Sequence, residues 1–362
     1  MPNLFDPIDL GAIHAANRLL MAPLTRGRAG RDGVPVAMMA DYYAQRASAG
    51  LIISEATGIS RTGLGWPYAP GLWSDEQVEA WTPVTAAVHQ AGGRIVAQLW
   101  HTGRQGHSSV YGAQPVSSSA TRTEGQAHTF DGKQDFEVAR PLTLEEIPGI
   151  IEDYATATRN ALAAGFDGVQ IHAANGYLID QFLRDNANFR DDRYGGSPEN
   201  RIRLLREVTE RVAAVAGEGR TSVRLSPNGD SQGVDDSNPA AVFLPAVKAL
   251  DAIGIGFLEL REPGPDGTFG RTDVPPLSPQ IREAFSRPLV LNSDYDTREA
   301  AQAKLDEGVA DAISFGRTFL ANPDLPERLR TGAPLNESNP KTWYSQGPEG
   351  YIDYPALETA EA

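Results

Sequence analysis

The chain has 362 residues, 41% of them hydrophobic, with a formal net charge of −15 and no cysteine. This length is large for an ordinary domain but normal for a single α/β barrel, and it allows a sizeable buried core. The negative charge would repel a phosphate backbone or an anionic membrane, so nucleic acid and membranes are poor candidates as partners. The absence of cysteine excludes disulfides and thiolate chemistry and is consistent with a reducing compartment.

The chain shows no targeting or membrane signal. Residues 1–20 lack a basic region followed by a continuous apolar stretch, and no apolar run approaches the length that spans a bilayer. We therefore expect a cytoplasmic protein.

Short runs rich in Val, Ile and Leu recur along the chain, without the polar alternation of one-sided strands. Such runs are typical of strands buried on both faces of a parallel sheet. Eight are found, at residues 18–23, 51–57, 94–100, 168–175, 222–227, 256–262, 289–295 and 312–318. Helix-like stretches follow at 36–49, 75–91, 144–164, 199–216, 239–253, 278–286, 296–307 and 324–330. This alternation predicts a single (β/α)8 TIM barrel over residues 1–362.

A doubly wound sheet is the alternative fold, but neither the dinucleotide-binding nor the P-loop glycine motif occurs.

Three segments lie outside the eight strand–helix units of the predicted barrel. Residues 1–17 are expected to form a hairpin that closes the bottom of the barrel. Residues 101–143, between the third and fourth strands, are rich in Gly, Ser, Thr and Gln, and a loop of this length predicts a lid over the barrel mouth. The tail at 332–362 holds four aromatic residues and is expected to pack against the barrel.

In such barrels the residues at the carboxyl ends of the strands face the active site. Here those positions carry few acids and many neutral hydrogen-bonding groups. Glycoside hydrolysis needs two facing carboxylates, and Glu55 and Glu259 could supply them, although holding loops or pairing with arginines is the commoner role. The six histidines show no metal-ligand spacing, and no G-x-S-x-G motif supports a serine nucleophile.

The fourth run ends on an unusual combination, "IHAANGY", in which His172 is followed by Asn175 and Tyr177. Each residue alone has a structural explanation: a histidine bonded to a carbonyl, a turn residue before glycine, a core aromatic. Together with Gln98 and Arg224 on neighbouring strands, the three favour a ligand site. 

The eighth strand ends with Gly316 and Arg317, where barrels of this type often bind phosphate. A structural ion pair of Arg317 with Asp294 or Asp311 is an equally good interpretation.

Eight motifs, in order and over nearly the whole chain, resemble the old yellow enzyme family of flavin ene-reductases. They include "NRLLMAPLTRGRA", "VAQLWHTGR", "HAANGYLIDQFL", "AISFGRTFLANPDL" and "GYIDYPAL". The similarity is strongest to bacterial N-ethylmaleimide, pentaerythritol tetranitrate and morphinone reductases. It implies one non-covalent FMN at the carboxyl end of a (β/α)8 barrel, with NAD(P)H as the reductant. The cofactor-binding residues that it implies are Pro23, Leu24, Thr25, Ala56, Gln98, Arg224, Asn292, Ser293, Gly316 and Arg317.

The resemblance also implies that His172 and Asn175 donate hydrogen bonds to a carbonyl or nitro oxygen of the substrate. Hydride would reach the β-carbon, and Tyr177 would supply a proton to the α-carbon from the opposite face. Trp66, Trp100 and Tyr351 would form apolar walls of the pocket. The implied function is ping-pong reduction of activated C=C bonds in small α,β-unsaturated carbonyl and nitro compounds, by a monomer or weak homodimer. Reductive denitration of nitrate esters or nitroaromatics, and a flavin redox sensor or storage role, remain alternatives.

Three positions depart from the family pattern. Asn175 stands where many relatives have histidine, which preserves a donor. "LNSDYD" replaces glycine-rich steps beside the expected phosphate, so the Asp294 side chain could repel it. The loop after the sixth strand, residues 261–273, lacks the tryptophan common in close relatives.

Overall fold

A computed structural model of the chain describes residues 1–263 and 274–357. Its strands are β1 (Ile8–Leu10), β2 (Ile13–Ala15), β3 (Leu19–Met21), β4 (Leu51–Ile53), β5 (Thr57–Gly58), β6 (Ile95–Trp100), β7 (Val116–Ser117), β8 (Gln126–Thr129), β9 (Gly132–Asp135), β10 (Arg140–Pro141), β11 (Gly168–His172), β12 (Thr221–Leu225), β13 (Phe257–Arg261), β14 (Leu289–Asn292) and β15 (Ala312–Phe315). Its α-helices are α1 (Met38–Ala44), α2 (Asp75–Gln90), α3 (Ser108–Tyr111), α4 (Ile147–Ala163), α5 (Leu178–Leu183), α6 (Pro198–Arg201), α7 (Arg203–Ala216), α8 (Pro239–Ile253), α9 (Ser278–Ala284), α10 (Arg298–Asp306), α11 (Arg317–Ala321) and α12 (Leu325–Thr331).

Eight parallel strands close into a barrel in the order β3, β4, β6, β11, β12, β13, β14 and β15, with β15 paired to β3. The predicted (β/α)8 fold is therefore confirmed. All barrel strands except β6 end earlier than predicted. The differences that matter for the site are that β11 stops at His172 and that β15 stops at Phe315, so that Arg317 begins a helix. The helices α3, α5 and α11 were not predicted, because runs of four to six residues are too short to show helical periodicity.

The side chains of the barrel strands that face the helices are apolar, whereas the barrel interior is apolar beside the N-terminal hairpin and polar nearer the carboxyl end. Successive side chains of a strand point to opposite faces. On β11, Val169 and Ile171 join the apolar core shared with the surrounding helices. Gln170 instead donates a hydrogen bond across the barrel interior to Glu259, and His172 points to the same side as Gln170. The apolar shell and the apolar cluster beside the hairpin stabilise the fold, while the polar groups nearer the carboxyl end can carry chemistry.

The predicted N-terminal hairpin is confirmed as the antiparallel pair β1 and β2. Its turn packs against the amino end of the barrel, where the Ala12 amide donates to the Gly219 carbonyl at 2.8 Å. Gly11 has φ +69°, and a Cβ there would lie 2.4 Å from that carbonyl oxygen. Only glycine fits this close approach. Because the hairpin covers the amino end, the carboxyl end is the open one.

The segment 101–143 is a structured excursion. It contains α3, the short strands β7 and β10, and an antiparallel hairpin of β8 and β9. The C-terminal segment packs as expected: the guanidinium of Arg28 donates to the carbonyls of Thr342, Trp343 and Glu349. Most of the loop 261–273, where the missing tryptophan was noted, lies outside the described residues. Within the described ranges, no helix is long and apolar enough to cross a membrane.

Candidate active site

A cavity of about 520 Å³ lies at the carboxyl end of the barrel. Most of the predicted site residues line it, namely Pro23, Leu24, Thr25, Trp66, Asn175, Tyr177, Arg224, Asn292, Ser293, Gly316 and Arg317. These residues come from the ends of several different strands, which is how barrel enzymes build their sites. The structure therefore brings distant segments of the sequence to one surface.

Four predicted residues lie behind or beside this cavity. Gln98 and His172 are buried in the barrel interior, and the His172 ring packs edge-on against Tyr177 with centroids 4.9 Å apart. Ala56 belongs to a small buried cluster with Trp100. Trp100 borders a second cavity of about 220 Å³ beneath the β8–β9 hairpin, and Tyr177 borders both cavities.

The assignment of Tyr351 to the cavity wall was wrong. Its side chain is fully buried and stacks on Tyr42, with ring centroids 4.1 Å apart and an interplanar angle of 10°. The guanidinium groups of Arg26 and Arg28 lie over the same ring, at 5.2 and 4.8 Å from its centroid. Tyr351 thus anchors the C-terminal segment. Tyr344, from the same segment, is the tyrosine that lines the cavity.

Asn175 adopts a left-handed backbone conformation with φ 57°, followed by Gly176 with φ 78°. Asparagine tolerates this region better than most residues. The backbone amide of Asn175 donates to the Ser226 hydroxyl at 2.8 Å, whereas the side-chain Oδ1 has no hydrogen-bond partner among the described residues. The turn interpretation and the ligand interpretation of Asn175 are thus both consistent with its position, because the turn aims the side chain at the cavity.

His172 pairs in register with Arg224 on β12. Burial, together with the Arg224 charge, holds the pKa of His172 well below its usual value. The imidazole is therefore neutral at physiological pH, with one N–H to donate. Its Nδ1 atom is buried and has no partner within the part of the chain that the structure describes.

Tyr177 lies between two aromatic rings at the cavity wall. Its ring packs edge-on against Trp100 as well as His172, and the ring centroids of Tyr177 and Trp100 are 5.0 Å apart. Burial raises the pKa of its hydroxyl to about 12, and a hydrogen bond from the Gln232 side chain limits the rise. The same Gln232 amide donates to the Asn175 carbonyl at 2.9 Å. Tyr177 is therefore a protonated phenol at neutral pH and can act as an acid.

The two acids considered for glycoside hydrolysis are both committed to internal contacts. Glu55 accepts hydrogen bonds from the Arg26 and Gly27 amides at 3.1 and 3.3 Å. Glu259 lies in the barrel interior, with one carboxylate oxygen 3.3 Å from Nε of Arg224. Glu55 therefore supports the loop after β3, and Glu259 pairs with an arginine.

At the other end of the cavity, the Arg317 guanidinium donates to Asp294 at 2.5 Å. This is one of the two alternatives weighed for Arg317; Asp311 instead pairs with Arg282 at 2.7 Å. Arg317 is nevertheless about half exposed and lines the cavity beside Gly316. 

Three arginines, Arg224, Arg261 and Arg317, line the cavity, against one acid, Asp294. Burial lowers the pKa of Arg261 to about 10, so it remains cationic at neutral pH. A concentration of positive charge in a chain of net charge −15 suits a phosphorylated ligand. 

The unpartnered polar atoms of His172, Asn175 and Ser293 add hydrogen-bonding capacity along the cavity. A barrel with such a site at its carboxyl end is of the class that binds a flavin nucleotide. The residues fit FMN: apolar groups for a planar ring, and arginines for its pyrimidine and phosphate ends.

Comparison with known proteins agrees with this class. Residues 3–336 match the NADH:flavin oxidoreductase / NADH oxidase family. The structure resembles that of an old yellow enzyme homologue from Zymomonas mobilis, with a TM-score of 0.97 and 65% identity over 98% of this chain and all of that one. Morphinone reductase in complex with tetrahydroNAD gives a TM-score of 0.94 at 45% identity, over 100% and 99% of the two chains. The 12-oxophytodienoate reductase 2 of Arabidopsis thaliana is 41% identical over 98% of this chain and 96% of its own length.

The chain belongs to the NADH:flavin oxidoreductase / NADH oxidase family, to which old yellow enzymes belong. It is an FMN-dependent oxidoreductase with a reduced nicotinamide as its reductant.

Sequence reasoning missed several residues that line the cavity, among them Arg261, Gln232 and Tyr344. Arg261 could have been found, because it follows Glu259 by two residues and therefore faces the same side of β13. Gln232 and Tyr344 lie in loops distant from the strand motifs, and the sequence carries no signal that would place them.

Proposed function

We propose that this protein reduces C=C bonds conjugated to carbonyl or nitro groups, in small molecules that enter the cavity beside Tyr177. The observation that supports this best is the arrangement of three groups at the carboxyl end of β11: a neutral imidazole, an amide in a left-handed turn and a protonated phenol. Relatives at 41–45% identity include proteins named for the reduction of 12-oxophytodienoate and morphinone. Both names describe reductases, consistent with this proposal.

Pro23, Leu24 and Thr25 follow β3 and would bind one side of the FMN ring, with the Thr25 hydroxyl at its edge. Ala56 would approach the ring through its backbone, and Gln98 and Arg224 would bind the pyrimidine end. Asn292, Ser293, Gly316 and Arg317 would surround the phosphate, and the Ser293 hydroxyl has no other partner among the described residues. When bound and reduced, FMN supplies the hydride.

The protein's own groups would polarise the substrate. The His172 N–H and the Asn175 amide would donate hydrogen bonds to its carbonyl or nitro oxygen, drawing electron density away from the β-carbon. The Tyr177 hydroxyl would hold the proton that the α-carbon receives. Trp66 and Trp100 would exclude water from the apolar part of the substrate. The nicotinamide would bind in the same cavity before the substrate does, so one site serves both half-reactions.

The test is anaerobic stopped-flow on the FMN-loaded protein. Rapid bleaching by NADH or NADPH, followed by reoxidation with cyclohexenone, is the expected result. Reoxidation by nitrate esters or nitroaromatics but not by enones would favour the denitration alternative. Bleaching without reoxidation by any of them would favour the redox sensor or storage role, and failure to bind FMN would contradict all three.

Ligand binding should be insensitive to pH across the neutral range. The low pKa of His172 and the pKa of about 12 of Tyr177 leave both groups uncharged from pH 6 to pH 8.5. We expect the affinity of the oxidised, FMN-loaded protein for cyclohexenone, which does not ionise, to stay constant over this range. Spectral titrations at several pH values measure it. A change in affinity with a midpoint near 6.5 would show that the imidazole titrates and would contradict the neutral-donor role.

Asp294→Asn is expected to tighten FMN binding about fivefold. This factor corresponds to about 1 kcal/mol, the free energy of one exposed charge interaction. The substitution removes a negative charge from the phosphate end of the cavity and releases Arg317 from its ion pair. Fluorescence titration of the apoprotein with FMN measures the change.

Asp306→Asn on α10, where the carboxylate contacts only Gln302 among the described residues, is the matched control for loss of one acid. Weaker FMN binding in the Asp294 variant would show that Asp294 positions Arg317 instead of competing with the phosphate.

We also propose that the protein acts in the cytoplasm, as a monomer or weak homodimer, without nucleic acid or membrane partners. The absence of cysteine and the net charge of −15 support this proposal. Sedimentation of the FMN-loaded protein over a range of concentrations tests its oligomeric part.

A further inference from the structure

Beneath the cavity, the barrel interior contains a chain of hydrogen bonds that ends on Glu259. This residue is fully buried. One carboxylate oxygen accepts from Gln170 Nε2 at 2.9 Å, and the other accepts from the Ser314 hydroxyl at 2.5 Å. Gln170 Oε1 in turn accepts from Gln98 Nε2 at 2.8 Å. The chain therefore joins a carboxylate on β13 to an amide on β6, across the interior of the barrel.

The register of the strands explains these contacts. Gln98 and Gln170 are direct partners across β6 and β11, and Arg224 and Glu259 are direct partners across β12 and β13. All four side chains therefore lie inside the barrel, in two adjacent layers. The Gln170 side chain bridges the layers.

The carboxylate sets the direction of every bond in this chain. A carboxylate only accepts, so Gln170 must turn its NH2 group towards Glu259 and its carbonyl oxygen towards Gln98. Gln98 must then turn its NH2 group towards Gln170. A side-chain amide by itself could be placed in either orientation, but a chain of amides that ends on a carboxylate has only one consistent set of orientations. Gln98 therefore keeps its Oε1 free to accept a hydrogen bond from a ligand.

Glu259 also holds Arg224. Its carboxylate oxygen lies 3.3 Å from Nε of the guanidinium, as an ion pair without hydrogen-bond alignment. The same guanidinium donates to Asn292 Oδ1, and Asn292 donates to the Ser314 carbonyl at 2.9 Å. Thus one buried acid fixes the position of Arg224 and offsets part of its charge.

We propose that Glu259 is a positioning residue for the pyrimidine end of the cofactor, and this rests on the proposed contacts of Gln98 and Arg224 with FMN. Through Gln170 it orients Gln98, so that the amide oxygen accepts the N3–H of the ring. Through the ion pair it reduces the charge that Arg224 presents where negative charge accumulates on reduction. Glu259 therefore favours binding of oxidised FMN and keeps the midpoint potential lower than Arg224 alone would set it.

Two near-isosteric variants test this: Glu259→Gln, and Glu262→Gln as the matched control. Glu262 is also a buried acid of this region, but it accepts from the Leu277 and Ser278 amides and does not contact Arg224. We expect E259Q to bind oxidised FMN about tenfold more weakly and to have a more positive midpoint potential, while E262Q keeps the wild-type potential. Spectroelectrochemistry and FMN titration measure these two quantities.

A third variant separates the effect of the amide chain to Gln98 from that of the ion pair with Arg224. Gln170→Leu breaks the amide chain and leaves the Arg224 ion pair in place, so FMN affinity should fall while the potential moves less than in E259Q. An unchanged potential in E259Q, or an equal shift in E262Q, would overturn the proposal. 

If E259Q does not fold, Glu259→Asp replaces it. This variant keeps the charge but shortens the reach to Gln170, so FMN should bind more weakly. Wild-type FMN affinity in Glu259→Asp would overturn the proposal. Failure of the wild-type protein to bind FMN would instead contradict the proposed function.

Discussion

Replacing Tyr177 with phenylalanine is expected to slow reoxidation of the reduced protein by cyclohexenone about 10²- to 10⁴-fold, the usual contribution of a general acid. The hydroxyl, whose pKa of about 12 keeps it protonated, is the proton source in the proposed mechanism. Flavin reduction by NAD(P)H requires no proton from this residue and should proceed at the wild-type rate. Stopped-flow absorbance measures the two half-reactions separately.

Tyr154→Phe is the matched control, because it removes a tyrosine hydroxyl that is fully buried on α4 and has no hydrogen-bond partner among the described residues. It should leave both half-reactions unchanged. An equal loss in both half-reactions of Tyr177→Phe would refute the proton-donor role and would indicate a general disturbance of the cavity.

The second large effect is expected for His172→Ala. Removing one of two donors to an anionic or carbonyl oxygen should weaken the binding of phenol ligands, such as p-hydroxybenzaldehyde, about 10- to 100-fold. His172→Asn, which restores an N–H donor, should recover part of the affinity. Spectral titration of the FMN-loaded variants gives the dissociation constants.

His89→Ala serves as the control, because His89 contacts Asp167 near the amino end of β11, far from the cavity. Its removal should leave phenol affinity unchanged. Wild-type affinity in His172→Ala would count against the paired-donor arrangement of His172 and Asn175.

Much of the fold could be predicted from local pattern. The eight apolar runs correspond to β3, β4, β6 and β11 to β15, because strands buried on both faces, against the helices outside and a largely apolar cluster inside, read as nearly continuous apolar segments. The hairpin of β1 and β2 was also predicted. Strand ends were less accurate: Asn175 lies beyond the strand, since φ 57° cannot continue an extended chain.

The candidate site was predicted where strand order alone places residues together. Asn175, Tyr177 and Arg224 come from adjacent strands, and a parallel barrel must bring their carboxyl ends to one side. Residues from outside this pattern were predicted less well. Tyr351 was assigned to the cavity, whereas stacking on Tyr42 holds it in the core and Tyr344 occupies the wall.

The sequence by itself determined the barrel, the family and the motif "IHAANGY", because these depend on periodicity and on short, ordered segments. Only the tertiary structure decided how the side chains are oriented and paired. It showed Asp294 paired with Arg317, and it showed Glu259 joined to Gln98 through Gln170, on strands far apart in the chain. Such contacts depend on strand register and on rotamers inside a closed barrel, and no local pattern records either.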